Sequence, residues 1–280
     1  MPLFALALVL VAACTHATWN LYAKRAAASR HFVWAYSAIA VMIWAPGLFF
    51  VGLPTPSWWV LGVLLGTGVL HAGYSLALQR AYALADLSVV YPVVRGTGPL
   101  LAFVGAAVFL GERPSRLAAG GASLVVLGVF LLSGGRTNRS GILVGVATGA
   151  LVASYTLWDG WAVKSLLVAP LLVDWAGNAF RVVVLAPRSW RERSTLRAEL
   201  VRYRWEMLAV AVLGPLGYIL VLTAMQLAPI GHVAPARELS MLVAAWLGGR
   251  VLGEGDNGRR IGASALIVVG VVTLASAPVT

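Results

Sequence analysis

The sequence predicts an all-α membrane protein with ten transmembrane helices, arranged as two inverted five-helix repeats. Three observations carry that prediction. The first is composition: 60% of the 280 residues are hydrophobic and only 11% are charged, against about 25% charged in a typical soluble domain. The second is a succession of apolar stretches, each close to the roughly 20 residues a helix needs to cross the hydrocarbon core. The third is an internal echo. Tyr91–Glu112, YPVVRGTGPLLAFVGAAVFLGE, returns as Val233–Glu254, VAPARELSMLVAAWLGGRVLGE. Each copy holds an arginine among apolar residues, Arg95 and Arg237, and each ends in Leu-Gly-Glu.

In order, the predicted spans are Leu3–Ala23, His31–Gly52, Ser57–Ala83, Val89–Leu110 and Arg116–Gly134, then Ile142–Val163, Val168–Pro187, Trp205–Ala228, His232–Leu252 and Arg260–Ser276. Trp58 and Trp59 open the third span as interface anchors. Pro92 and Pro99 interrupt the fourth, and Pro215 and Pro235 mark bending points in the eighth and ninth. Gly120, Gly121, Gly128, Gly262 and Gly270 suit close helix packing in the fifth and tenth. Most links are too short to hold a domain. The exception is Arg188–Arg204, a segment with six arginines that is expected to form a surface helix.

Loop charge sets the orientation. The odd-numbered loops hold 15 lysines and arginines and the even-numbered loops 3. Basic loops stay in the cytoplasm, which puts the odd loops there and both termini outside. The same rule accounts for the net charge of +11 without nucleic acid, since no basic patch alternates with stacking aromatics on a polar domain. The single cysteine, Cys14, excludes an internal disulfide and a multi-cysteine metal site. Val11-Ala12-Ala13-Cys14 imitates a lipoprotein cleavage box. No Lys or Arg precedes the run, however, and the apolar stretch continues past the cysteine, so Cys14 reads as a packing residue.

The echo extends along the chain. Gly73-Tyr74 returns as Gly217-Tyr218 at an offset of 144, and Arg95, Gly111, Glu112, Gly120 and Gly128 return at 142. Trp19-Asn20 returns as Trp158-Asp159 at 139. The repeats are therefore 1–137 and 138–280. Five spans per repeat is an odd number, so the second copy must insert upside down. Inverted repeats of this kind place a substrate site near the membrane midplane, at the repeat interface.

Ten spans, two five-span halves and a Gly-Glu after the fourth span of each half resemble the EamA family of the drug/metabolite transporter superfamily. His16-Ala17-Thr18-Trp19-Asn20 followed by Lys24 fits that family's opening, with Tyr155-Thr156-Leu157-Trp158-Asp159 as its counterpart. The resemblance covers essentially the whole chain. It implies a multi-pass bacterial inner-membrane exporter of small metabolites, amino acids prominent among them, and the aromatic-rich polar positions are similar to those of YddG-type exporters of aromatic amino acids. The lipid bilayer and a small-molecule substrate are the partners it implies, with no cofactor and no metal, and a monomer is compatible with it. A passive facilitator or a multidrug exporter of the same superfamily is the alternative. An enzyme is not expected: there is no HExxH, no Ser nucleophile elbow and no glycine-rich phosphate loop followed by Lys-Ser/Thr.

Ionisable groups at membrane depth cost roughly 2.5–3.5 kcal/mol each on insertion scales, so they face cavities or partners. Three candidate sets follow. Arg95 and Arg237 either hold a substrate carboxylate or bind carbonyls freed by the nearby prolines; Tyr91 stands beside the first. His16, Trp19 and Asn20 on the first span, and Tyr155, Trp158 and Asp159 on the sixth, form two polar faces expected to meet across the pseudo-twofold axis. His71, Tyr74 and Gln79 on the third span join Tyr218 on the eighth. Asp174, Asn178 and Arg181 form one stripe, read as an internal Asp–Arg pair. Glu112 and Glu254 are read as helix caps, or as partners of Arg113 and Arg259.

Overall fold

A computed structural model describes residues 1–26, 28–52, 54–55, 57–84, 87–133, 139–243 and 257–278; within these, the side chains of 24, 79–84, 87–92, 132–133, 139–141 and 257–260 are not described. Among the described residues the chain is all helical, with no strand. The helices are α1 (Leu3–Arg25), α2 (Phe32–Trp44), α3 (Trp58–Leu84), α4 (Leu87–Phe109), α5 (Arg116–Ser133), α6 (Arg139–Ser165), α7 (Pro170–Arg191), α8 (Arg193–Arg202), α9 (Arg204–Leu227), α10 (Ile230–Ala236) and α11 (Asn257–Ser276). Among the described residues, five helices are long and apolar enough to cross a membrane: Leu3–Ala23, Phe32–Phe49, Trp58–Leu78, Ile142–Ser165 and Arg204–Leu227. Val93–Phe109, Arg116–Leu131 and Ile261–Ser276 are apolar but shorter. The outer surface is rich in large apolar side chains, with Phe49 and Phe50 each 90% exposed and Trp58 89%. That surface is compatible with a lipid surround.

Several predicted boundaries shift for local reasons. The second span is α-helical only to Trp44 and continues as a 3-10 turn, Ala45–Phe49, because Pro46 cannot return an amide hydrogen bond. The seventh runs past Pro187 to Arg191. Pro92 and Pro99 leave α4 continuous. The ninth span breaks instead: α10 ends at Ala236, Arg237 and Glu238 form a turn, and helix resumes at 239. Pro235 has no N–H to give the Gly231 carbonyl, which loosens the helix at that point. The arginine-rich segment does form a surface helix, α8.

α4 lies along α6, α1 along α9 and α5 along α11; α3 packs on α6 and α7, and α2 on α7 and α9. Small residues let the backbones approach. A Cβ on Gly121 would stand 2.8 Å from the Gly270 carbonyl oxygen, and one on Gly270 2.7 Å from that of Gly121. Gly128 meets α11 in the same way at Ala263. Gly120 and Gly262 face open space, so the packing role predicted for them does not hold. Indole N–H groups tie neighbouring helices together. Trp34 donates to Val182 O, Trp44 to Ala211 O, Trp158 to Val63 O and Trp175 to Val41 O, at 3.0–3.2 Å. Interhelical hydrogen bonds of this kind contribute about 0.6–2 kcal/mol each in a bilayer.

The Leu-Gly-Glu ending of α4 has a structural role. Gly111 takes φ +71°, a left-handed conformation that glycine adopts without a Cβ clash. The chain turns, Glu112 N–H closes on Ala106 O, and the Glu112 side chain reaches the start of α10. There its two oxygens accept from the N–H groups of Ile230 (2.6 Å) and Gly231 (2.9 Å), with Lys164 3.4 Å away. Glu112 is thus a helix cap, satisfying donors that have no partner within their own helix. Lys164 is a nearby cation. Gly253 and Glu254, its predicted counterparts, lie outside the described residues.

Candidate functional site

The polar interior is built by two stripes, a tyrosine from a third helix and one helix break. Thr67, His71 and Tyr74 recur at i, i+4 and i+7 along α3 and so share a face. Tyr155 and Asp159, four apart, do the same on α6. Tyr218 comes from α9. Together they surround the Asp159 carboxylate, which is fully buried. Thr67 Oγ1 donates to Oδ1 at 2.7 Å, while Tyr218 OH donates to Oδ2 at 2.5 Å. His71 Nε2 lies 2.8 Å from the same Oδ2. Three contacts leave this carboxylate well satisfied. Around it stand aromatic rings at van der Waals range: His71–Tyr155 at 4.5 Å between centroids, His71–Tyr218 at 5.3 Å, Tyr74–Tyr155 at 5.4 Å and Tyr155–Tyr218 at 6.1 Å.

The second cluster forms where the ninth span breaks. Arg95 Nε, on α4, lies 2.9 Å from Glu238 Oε2. Its Nη2 donates to Ser240 Oγ at 2.6 Å, and its Nη1 is 3.3 Å from His16 Nε2 on α1. These partners are side chains of other elements. Arg237 is 6% exposed and Glu238 1%. Arg237 is within electrostatic reach of Tyr155, Glu238, Arg95 and Tyr218, which joins the two clusters. Among the described residues, Arg237 Nε and Glu238 Oε1 are buried without a hydrogen-bond partner. Leaving a buried polar atom without a hydrogen-bond partner costs about 1–3 kcal/mol.

The other candidates have structural partners. Trp19 packs edge-on against His16 at 4.9 Å, and Asn20 Nδ2 donates to His16 O one turn back. Trp158 lies over Gly66, where a Cβ would come within 2.6 Å of its ring, and so fixes α6 on α3. The polar faces of the first and sixth spans therefore do not meet as predicted: α1 turns His16 toward α4, and α6 turns Asp159 toward α3 and α9. Asp174 and Arg181 are joined through Asn178, which donates to Asp174 Oδ2 at 2.9 Å and accepts from Arg181 Nη2 at 2.6 Å. The side chains of Gln79 and Tyr91 lie outside the described residues. Thr67 and Ser240 are site residues that the sequence reading missed. The signal that could have found Thr67 is its spacing, four residues before His71 on the α3 stripe.

No family model matches this chain, and no curated protein matches its sequence. Solved structures do match its fold. One crystal structure of a protein superimposes with a TM-score of 0.70 at 18% identity, covering 96% of this chain and 95% of that one. The two share a fold along nearly their whole lengths.

Proposed function

We propose that this chain is a secondary transporter of the EamA type: ten spans in two inverted five-helix repeats, exporting small metabolites from a bacterial cell by alternating access. The substrates are amino acids, with aromatic or apolar side chains favoured. Under this reading α1 to α5 correspond to α6, α7, α9, α10 with its continuation, and α11. Helix packing then comes in matched sets, which supports it: α1 on α9 answers α6 on α3, and α2 on α9 answers α7 on α3. A helix broken at a buried charge cluster is also a recurring form of transporter binding site.

One observation carries the substrate assignment. A buried donor without a partner, Arg237 Nε, and a buried acceptor without a partner, Glu238 Oε1, stand on neighbouring residues, with Tyr155 and Tyr218 within electrostatic reach of Arg237. An amino-acid zwitterion satisfies both, its carboxylate on Arg237 and its ammonium on Glu238. Tyr74, Tyr155 and Tyr218 then offer apolar faces to its side chain. Arg95 holds Glu238 in place, and His16 and Ser240 hold Arg95.

Efflux from proteoliposomes loaded with a panel of labelled amino acids tests the proposal. Aromatic and apolar amino acids should leave fastest. Arg237→Gln should weaken their apparent affinity by about 100-fold, the scale of losing a buried charge partner. Efflux of a quaternary cation or a sugar phosphate, with none of any amino acid, ends the amino-acid reading.

A further inference from the structure

A second basic site lies in a groove between the start of α2, the middle of α3 and the end of α7. Its polar lining is Arg30, Arg181 and Arg188, with His31 and Ser189 between them. Its walls are apolar, and two of them open sideways: Leu76 is 53% exposed and Val184 46%. Among the described residues no carboxylate lines the groove, and the carboxylates that contact its flanking residues are already engaged. Glu192 is engaged by His31 at 3.2 Å and by Arg188 Nε at 3.7 Å. Glu199 is engaged by Ser29 Oγ and by the N–H groups of Arg30 and His31. Asp174 is held by Asn178, which also fixes one end of the Arg181 guanidinium; Arg181 Nε stays buried without a hydrogen bond. The Arg30 guanidinium has no carboxylate within ion-pair distance among the described residues.

We infer that this groove binds a phospholipid with an anionic headgroup. The phosphate sits among Arg30, Arg181 and Arg188, and an acyl chain runs along Leu76 and Val184. Three guanidiniums around one recess match a phosphate. Basic recesses between membrane helices recognise anionic headgroups, while the apolar walls give a chain its place. A free phosphate shares the headgroup chemistry but uses none of the apolar wall. The inference requires a membrane surround but is independent of what the protein transports.

Native mass spectrometry of the delipidated full-length protein tests it, with phosphatidylglycerol, phosphatidylcholine and inorganic phosphate added separately and in competition. Phosphatidylglycerol should be retained over phosphatidylcholine, and equal concentrations of phosphate should not displace it. Arg188→Gln and Arg181→Gln should each weaken retention about fivefold. Arg193→Gln, on the same basic segment but outside the groove, should not. The Arg188 side chain is 60% exposed, so its variant decides the matter even where Arg181→Gln unfolds. Equal retention of the two lipids overturns the inference, as does an undiminished count in Arg188→Gln. A drop in Arg193→Gln as large as in Arg188→Gln shows diffuse attraction, and displacement by phosphate shows a small-anion site; either outcome also ends it.

Discussion

Glu199, on the surface helix α8, caps the start of α2 at His31, 168 residues earlier in the chain. Its carboxylate accepts from Ser29 Oγ at 2.7 Å, from Arg30 N at 3.1 Å and from His31 N at 3.0 Å, at the open start of α2. Burial raises its proton affinity, but those hydrogen bonds and the His31 charge outweigh burial and hold the carboxyl below its ordinary 4.5. A depressed folded pKa means the stabilisation is complete above 4.5 and is lost as pH falls through the lower folded value. Wild type should therefore melt above Glu199→Gln at pH 7, and the gap should close as the solution is acidified below 4.5. The group is partly exposed, so the gap is small, under about 1 kcal/mol. An unchanged gap down to about pH 3 would rule out the cap as its source. Sequence shows such residues but not their partners. Arg95 stood out as a lone charge, yet its Ser240 partner is 145 residues away. Asp159 stood out too, while Thr67, neutral and common, did not.

At the scale of elements, the α5–α11 contact depends on glycine backbones touching. Gly121→Ala places a methyl 2.8 Å from the Gly270 oxygen and 2.9 Å from the Leu274 nitrogen. Backbone cannot give way as a flexible side chain does, so the expected loss is about 1–3 kcal/mol, read as a lowered melting temperature in detergent. Gly120→Ala, one residue away and facing open space, should leave it unchanged. Equal melting temperatures for the two variants would refute the backbone contact. The apolar helices were legible because their composition alone demands burial in protein or lipid. The break at Arg237–Glu238 was not. Pro99 and Pro235 look alike in sequence, yet α4 stays helical while the ninth span turns. The difference lies in partners from elsewhere: Arg95 engages both Glu238 and Ser240, compensating for the lost helical geometry.

For the whole molecule, the loop charges make a prediction that the fold alone does not. Under the proposed orientation the Arg188–Arg204 segment is cytoplasmic and the link at Thr55 is outside. Cys14 is the only cysteine, so Cys14→Ser gives a background for labelling. Adding Ser194→Cys should give a protein that an impermeant maleimide labels in inverted vesicles and not in intact cells, and Thr55→Cys should give the opposite pattern. The same pattern at both positions would sink the topology. The clasp between Glu112 and α10 also bears on how the chain is made. Ile230 leaves the ribosome 118 residues after the carboxylate that caps it, roughly 6–24 s later at ordinary synthesis rates. During that interval Glu112 has no α10 to cap, so the first half of the protein is synthesised with its clasp open. α10, with seven buried residues, is too short to persist as an isolated helix. Docking of α10 onto Glu112 is therefore a late event in assembly, one that a ribosome arrested before residue 230 would leave undone.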